Sequence, residues 1–442
     1  MLSVAGAAAP WALNLAAMGE AAAATAADYK ALVCVFLYGG NDYGNTLIPY
    51  DNARYALYQG MRPTLAYTQG ALTPTLLTPT TALPGGIQYA LAPELAPLLP
   101  LFTSNRLAVI LNVGTLVQPT TKAQYAAKSV PLPPKLFSHN DQQSVWQSSA
   151  PEGATSGWGG RMGDLFEAGN GNATFTCVNV SSNAVFLSGH TAVQYQVSPS
   201  GPVALNGVNT PLFGSATCSD ALHSLVTAPR THLFENEYTR VMSRSLVASG
   251  ALTSALAGGP AISTVFPIGN GLADQLKLVA RMISTSSEVG AKRQVFFVSL
   301  GGFDNHDGLA SIHPGLLTSV ADAMSAFYNA TVELGVANQV TSFTASDFGR
   351  TLTANNGSDH GWGSMHFTLG GAVNGGRYYG SAPIVANDGP DDVGQGRLLP
   401  STSVDQYAAT LGRWFGISDT DLLTVLPNLA HWNASQRTLG FV

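Results

Sequence analysis

Four short apolar runs, Ala31–Tyr38, Leu107–Val113, Val295–Leu300 and Val340–Thr344, most constrain what this chain can fold into. Each is bounded by polar or glycine residues and reads as a strand buried on both faces of a parallel sheet. Helical patterns fall between them, at about Ala92–Phe102, Gln142–Ser148, Leu272–Ser287, Leu316–Leu334 and Val404–Phe415. Strands alternating with helices predict an α/β fold, a three-layer sandwich around a mostly parallel central sheet. In such folds ligands gather beyond the carboxyl ends of the strands.

The middle of the chain, residues 151–270, reads differently. It holds short β-like pieces (Thr174–Val180, Ala184–Leu187, Thr191–Val197), then a long helix from about Thr231 to Ala257. We expect an insertion or cap there, beside the main domain spanning residues 28–442. A net charge of -6 spread without blocks leaves no basic face for nucleic acid. The 45% hydrophobic content excludes wholesale disorder.

Residues 1–27 are Ala-rich and almost uncharged, which suits the remnant of an export signal without its positive leader. The stretch is too poor in large apolar residues for a membrane span. A periplasmic or extracellular location is therefore expected. Cys34 sits in an apolar run and should be buried, while Cys177 and Cys218 could pair in an oxidising compartment. No C-x-x-C spacing occurs, which argues against cysteine-ligated zinc.

Histidine and carboxylate are scarce, yet five of the 9 His residues lie in or just after four segments. These are Gly39-Gly40-Asn41-Asp42, Phe137-Ser138-His139, Gly302-Phe303-Asp304-Asn305-His306 and Ser358-Asp359-His360-Gly361, with His366 behind. Such a gathering at strand ends suggests a metal site. Asp42 follows a strand through a Gly-Gly turn, placed either to hold a cation or to bond the turn amides. Ser138 with Asp141 has capping-box spacing, so the hydroxyl either caps a helix or lies beside its free amides as a nucleophile. Asp304 and His306, two apart on an extended segment, can point to the same side, and a carboxylate with an imidazole suits zinc, manganese or iron. Asp359 and His360 adjoin on a turn, and His366 starts a strand-like run. His313 is either a reserve ligand or a cap for the next helix. Arg350 either clamps a substrate oxyanion or pairs with Asp347.

With Val35-Phe-Leu-Tyr-Gly-Gly-Asn-Asp42, Phe137-Ser-His139, Gly157-Trp158, Gly160-Arg161, Gly301-Gly-Phe-Asp-Asn-His306, Ser346-Asp-Phe-Gly-Arg-Thr351, Asp359-His-Gly-Trp-Gly363 and Gly370-Gly-Ala-Val-Asn-Gly-Gly376, the chain resembles the bacterial DUF1501 proteins. The resemblance runs from about Leu32 to Pro427. That family is distantly similar to the alkaline phosphatase and sulfatase superfamily, and its members often carry twin-arginine export signals. The resemblance implies an alkaline-phosphatase-like fold and two divalent metal ions, zinc or manganese. Asp42, Ser138, Asp359 and His360 would hold one ion, and Asp304, His306 and His366 the other. Ser138 would be the nucleophile; Arg350, read from its planar fork and not from the resemblance, is the second catalytic candidate. Two departures stand out. Asp304 and His306 are two apart where the superfamily commonly spaces the pair by four, and the sulfatase Cys-x-Pro-x-Arg signature is absent.

The reading this supports is an exported metal-dependent hydrolase of phosphate or sulfate esters, acting on a small-molecule or polysaccharide substrate. The alternative is an exported binding or assembly protein that retains the fold without the chemistry. A Ser-His hydrolase is disfavoured, because Ser138 and His139 are neighbours and no Gly-x-Ser-x-Gly elbow surrounds them.

Overall fold

The computed structural model of the chain describes Ala26 and residues 28–442. The expected export-signal remnant, apart from Ala26, lies outside the described residues. The strands in chain order are β1 (Lys30–Leu37), β2 (Leu47–Pro49), β3 (Tyr89–Leu91), β4 (Leu107–Gly114), β5 (Cys177–Asn179), β6 (Tyr195–Gln196), β7 (Arg293–Leu300), β8 (Val340–Ser346), β9 (Ser364–Gly370), β10 (Arg377–Tyr379) and β11 (Thr402–Ser403). The longer helices are α1 (Asn52–Met61), α2 (His139–Ser148), α3 (Trp158–Phe166), α4 (Ala216–Thr227), α5 (Leu233–Gly258), α6 (Gly271–Ser284), α7 (Leu309–Glu333) and α8 (Val404–Phe415).

Nine strands form one sheet in the order β10-β4-β9-β8-β1-β7-β5-β6, with β11 also on β4. The β1, β7 and β8 pairings are parallel, as are those of β5, β6, β10 and β11 with their neighbours. Only β9 runs against its partners, β4 and β8. The sheet is therefore mostly parallel, as the alternating sequence pattern predicts.

Alternation along β1 builds the layers. Ala31, Val33, Val35 and Leu37 join a core with Leu276, Val279 and Ile283 of α6 and Val320, Met324 and Phe327 of α7. Leu32, Cys34 and Phe36 point the other way, into a core with Trp158, Met162 and Phe166 of α3 and Tyr407, Leu411 and Phe415 of α8. The helical contacts recur every three or four residues, the spacing that gives a helix one apolar stripe. Each large side chain buried this way contributes about 1.5–3 kcal/mol.

Several expectations shift. Pro93, Pro97 and Pro100 break the pattern at 92–102 into a 3-10 segment, Pro93–Leu98, and a short helix, Leu99–Thr103. Ala184–Leu187 is not a strand, and Val185–Leu187 instead forms a 3-10 turn. Of the stretch expected as an insertion or cap, β5 and β6 are woven into the sheet, where β5 pairs with β7. The helices α4 and α5 pack on each other, and Arg281 Nη2 of α6 donates to Leu256 O of α5 at 3.0 Å. Cys177 is buried in β5 and Cys218 exposed on α4, and both are free, so these two cysteines are not paired. No helix among the described residues is long and apolar enough to cross a membrane.

Register brings the motifs to one edge. Leu37 of β1 lies level with Leu300 of β7 and Ser346 of β8, so three parallel strands end on one line. The reversed β9 starts at that edge, which delivers the segment before it, Asp359–Gly363, to the same place.

Candidate metal centre

Close backbone approach lets the loops after β1 and β7 meet. Gly39 has φ +114°, and a Cβ there would lie 2.4 Å from Asp304 N. The loop after β8 is stitched to the segment before β9 by Gly349 N to Trp362 O (2.9 Å), Thr351 N to Asp359 O (2.9 Å) and Gly361 N to Gly349 O (2.8 Å). Ser358 N donates to Asn305 O at 3.0 Å, which ties that segment to the loop after β7.

Three imidazoles and one carboxylate converge on these loops. His360 Nε2 lies 3.0 Å from His139 Nε2, 2.9 Å from His306 Nε2 and 3.3 Å from Asp304 Oδ1. Asp304 also reaches His306 Nε2 at 3.0 Å and His139 Nε2 at 3.4 Å. Ligand atoms of His139, Asp304 and His360 all fall within 4.8 Å of one another, the spacing that lets three donors share a cation.

Each ring is oriented from behind. His139 Nδ1 lies 2.6 Å from Asp347 Oδ2, His306 Nδ1 3.0 Å from Asp359 Oδ1, and His360 Nδ1 2.6 Å from Phe137 O. A backbone carbonyl only accepts, so His360 carries its hydrogen on Nδ1. The carboxylates impose the same tautomer on His139 and His306 when those rings are neutral. All three Nε2 lone pairs then face one another beside a carboxylate, which is repulsive with nothing between them and makes them candidate donors to a cation. Metal-ligating histidines characteristically donate their second N–H to a carboxylate or carbonyl.

The electrostatics follow from the contacts. The hydrogen bond to Asp347 raises the His139 pKa above its ordinary value, against desolvation. Desolvation lowers that of His360, helped by the charge of neighbouring His139. Desolvation of Asp304 is outweighed by Arg350, His139 and His306, so its carboxyl lies below the usual range.

The expected site residues divide. Asp304, His306 and His360 are together, and Asp359 is adjacent, orienting His306. Asp42 is not with them. Arg62 grips both its oxygens at 2.8 Å, and the pair is almost wholly buried. His366 lies in the core between Trp146 and Tyr407, with ring centroids 5.2 and 6.1 Å away, because strand alternation turns it to the α8 face. Burial pushes it down to about 3, and its Nε2 has no partner among the described residues. Ser138 sits at the N-cap of α2 but does not cap it, and its hydroxyl donates to Asp141 Oδ2 at 3.0 Å.

Arg350 is fully buried and pairs with Asp304 at 2.8 Å rather than with Asp347. It also donates to Gly39 O and Ser358 O, so it secures loops and presents no free fork. His313 is neither ligand nor cap. It is buried inside α7, 3.0 Å from Asn41 Oδ1.

Sequence reasoning passed over His139 as a ligand and Asp347 as its support. Spacing held the signal: His139 and Gln143 are one helical turn apart, and both reach Asp347 Oδ2, Gln143 Nε2 at 2.8 Å.

The structure is similar to several solved ones at low identity. A PsFucS1 sulfatase from Pseudoalteromonas sp. is 9% identical, with TM-score 0.33, covering 97% of this chain and 74% of that one. The lipoteichoic acid synthase LtaP from Listeria monocytogenes is 10% identical, with TM-score 0.31 and coverage of 90% and 74%. The alkaline phosphatase from the Antarctic bacterium TAB5 is 10% identical, with TM-score 0.30 and coverage of 91% and 99%. Likeness at this level carries no argument about substrate or chemistry. No curated protein matches the chain. A family model described as "Protein of unknown function (DUF1501)" matches residues 29–426, and the chain belongs to that family.

Proposed function

We propose that this chain is an exported hydrolase of phosphate or sulfate esters, working at one divalent cation, zinc or manganese. His139, His306, His360 and Asp304 would hold it. The observation that carries this reading is the triple orientation of the imidazoles, each fixed through Nδ1 so that three Nε2 atoms meet beside Asp304. What supports one centre rather than two is that Asp42 is spent on Arg62 and that His366 lies in the core.

A bound cation of this kind supplies Lewis acidity toward an ester oxygen. The remaining roles belong to the chain. Asp347, Asp359 and Phe137 O hold the rings in place. Ser138 would attack phosphorus or sulfur, with its proton passing along the existing hydrogen bond to Asp141. The departing alcohol takes a proton from solvent, and water then releases the inorganic anion from Ser138. Backbone amides at the start of α2 and its positive dipole end favour an anionic substrate.

The test is metal analysis of the purified full chain, with turnover of aryl phosphate and aryl sulfate. We expect bound metal, its loss in His360→Ala, and loss of turnover with metal retained in Ser138→Ala. Full turnover in Ser138→Ala would remove the serine from the mechanism. Absence of metal, with no thermal stabilisation by added zinc or manganese, would remove the centre itself.

A second reading, an exported binding or assembly protein that retains the fold, is favoured by one observation. Asp42 and Arg350, two residues expected at the chemistry, are both consumed by internal pairing. Metal retention without turnover of any ester would select it.

A further inference from the structure

A groove opens beside the metal centre and shares a residue with it. Tyr125, Lys128, Leu132, Pro133, Lys135 and Phe137 line it, around a volume of about 420 Å³. Phe137 links the two places: its side chain borders the groove while its carbonyl orients His360. Behind the groove, Tyr125 packs on Trp362 with ring centroids 5.6 Å apart. The walls are thus apolar and aromatic, with room for one ring of a ligand.

Cations gather at this spot in a chain that has few. Lys and Arg together number 20 of 442 residues, and net charge is -6. Yet Lys128 and Lys135 both line the groove, and the Arg397 guanidinium lies 5.0 Å from the centroid of the Phe137 ring. Arg397 Nε also donates to His360 O at 2.6 Å, which fixes it between groove and centre. Lys135 Nζ is 3.5 Å from Asp141 Oδ2 but remains mostly exposed. Lys128 has no charged partner among the described residues.

The backbone that presents these groups is held in an unfavourable shape. Lys135 (φ 40°) and Phe137 (φ 73°) adopt the left-handed conformation without being glycine, whereas Lys128 (φ 49°) does so as the C-cap of the helix Lys122–Ala127. Such residues persist where the surroundings over-determine them, and they cluster at ligand clamps and active sites.

We propose that this groove binds the organic part of the ester substrate, and that this part is a ring bearing its own anionic group. The ring lies against Tyr125, Leu132 and Phe137, and the anion meets Lys128 and Lys135. Only the position of the scissile ester rests on the hydrolase reading. The groove's preference for an anionic ring stands on its own lining.

The experiment is calorimetric titration of the full chain, after metal removal by chelator, with 4-hydroxyphenylacetate and with tyramine. The two probes share a ring and differ in the sign of the appended charge. We expect the carboxylate to bind at least tenfold more tightly than the amine, with affinity falling as salt rises. Lys128→Gln/Lys135→Gln should abolish that preference. Gln is no more strained than Lys at those φ values, and an unchanged unfolding midpoint verifies that the variant is folded. Equal binding of the two probes, or a preference that survives the double substitution, overturns the proposal. Metal retention and ester turnover are measured separately, so loss of the groove and loss of the hydrolase reading are told apart.

Discussion

His139 lies 2.6 Å from Asp347 through Nδ1 and Oδ2, joining the first turn of α2 to the loop after β8. The same oxygen accepts from Gln143 Nε2 and from Gly39 N at 3.2 Å, so three groups from two elements fix one carboxylate. A carboxylate behind a ligating histidine sets its tautomer and raises its basicity. Asp347→Asn should therefore lower zinc or manganese affinity by about 10- to 100-fold. Competitive titration against a chelator measures this. Unaltered affinity would show that His139 does not ligate.

Asp42 and Arg62 give a prediction of opposite character. All five guanidinium N–H groups of Arg62 are met: by Asp42 twice, by Asn45 Oδ1 at 3.0 Å, and by Leu352 O and Thr351 O at 2.8 Å. Arg62→Met strands a buried carboxylate and should cost about 3–5 kcal/mol in denaturant unfolding. Asp42→Asn in the same chain should recover much of that loss. Metal content per folded molecule should stay constant throughout, whereas a ligating Asp42 would lose metal with either change.

Asp405 predicts a pH dependence. Burial pushes its carboxyl up to about 6, although Ser149, Asn428 and Arg161 partly oppose the shift. The ordinary value is 3.8, so the native state holds this proton more tightly than the unfolded chain. The contribution is present in full below pH 4 and is lost as pH rises through 6, by about 3 kcal/mol in all. Asp405→Asn should match the parent near pH 4 and exceed it near pH 8, with Ser149 still donating to the amide oxygen. Urea midpoints at the two pH values decide it. An equal shift at both would mean that the carboxyl does not titrate as burial dictates.

What the sequence disclosed depends on how local each cause is. Four of the five long strands, β1, β4, β7 and β8, stand within two residues of their apolar runs, because burial on both faces marks every position of a central strand. Asp304 and His306 were visible because they follow Gly301 and Gly302 at the end of such a run, and His360 because it adjoins Asp359 on a turn. The fates of Asp42 and His366 were not local. Arg62 lies 20 residues beyond Asp42 at the end of α1, and no spacing rule announces that it folds back. His366 falls inside β9 on the same face as Thr368, whose hydroxyl lies 2.9 Å from Tyr407 Oη of α8. Only the register of β9 against β4 and β8 decides which side that is. Proline hid the break near residue 97, where an apolar pattern with helical spacing outweighed the missing donors.

Gly357 carries the last prediction, because it sets how near His306 stands to Asp359. A Cβ on Gly357 would lie 2.3 Å from His306 C and O and 2.4 Å from Asn305 O. These are backbone atoms, so no rotamer change relieves the clash, and the two loops must part. The 3.0 Å contact between His306 Nδ1 and Asp359 Oδ1 spans that same seam. Gly357→Ala should therefore destabilise the fold by about 1–3 kcal/mol, as overpacking does. It should also weaken metal binding at least tenfold, because His306 loses its orientation. Gly60→Ala is the control. It lies near the end of α1 with nothing within 4 Å of the added methyl, and should leave metal affinity intact while stabilising the helix by about 0.5–1 kcal/mol. If Gly357→Ala bound metal as tightly as Gly60→Ala, His306 would stand outside the donor set, leaving His139, His360 and Asp304 to hold the ion.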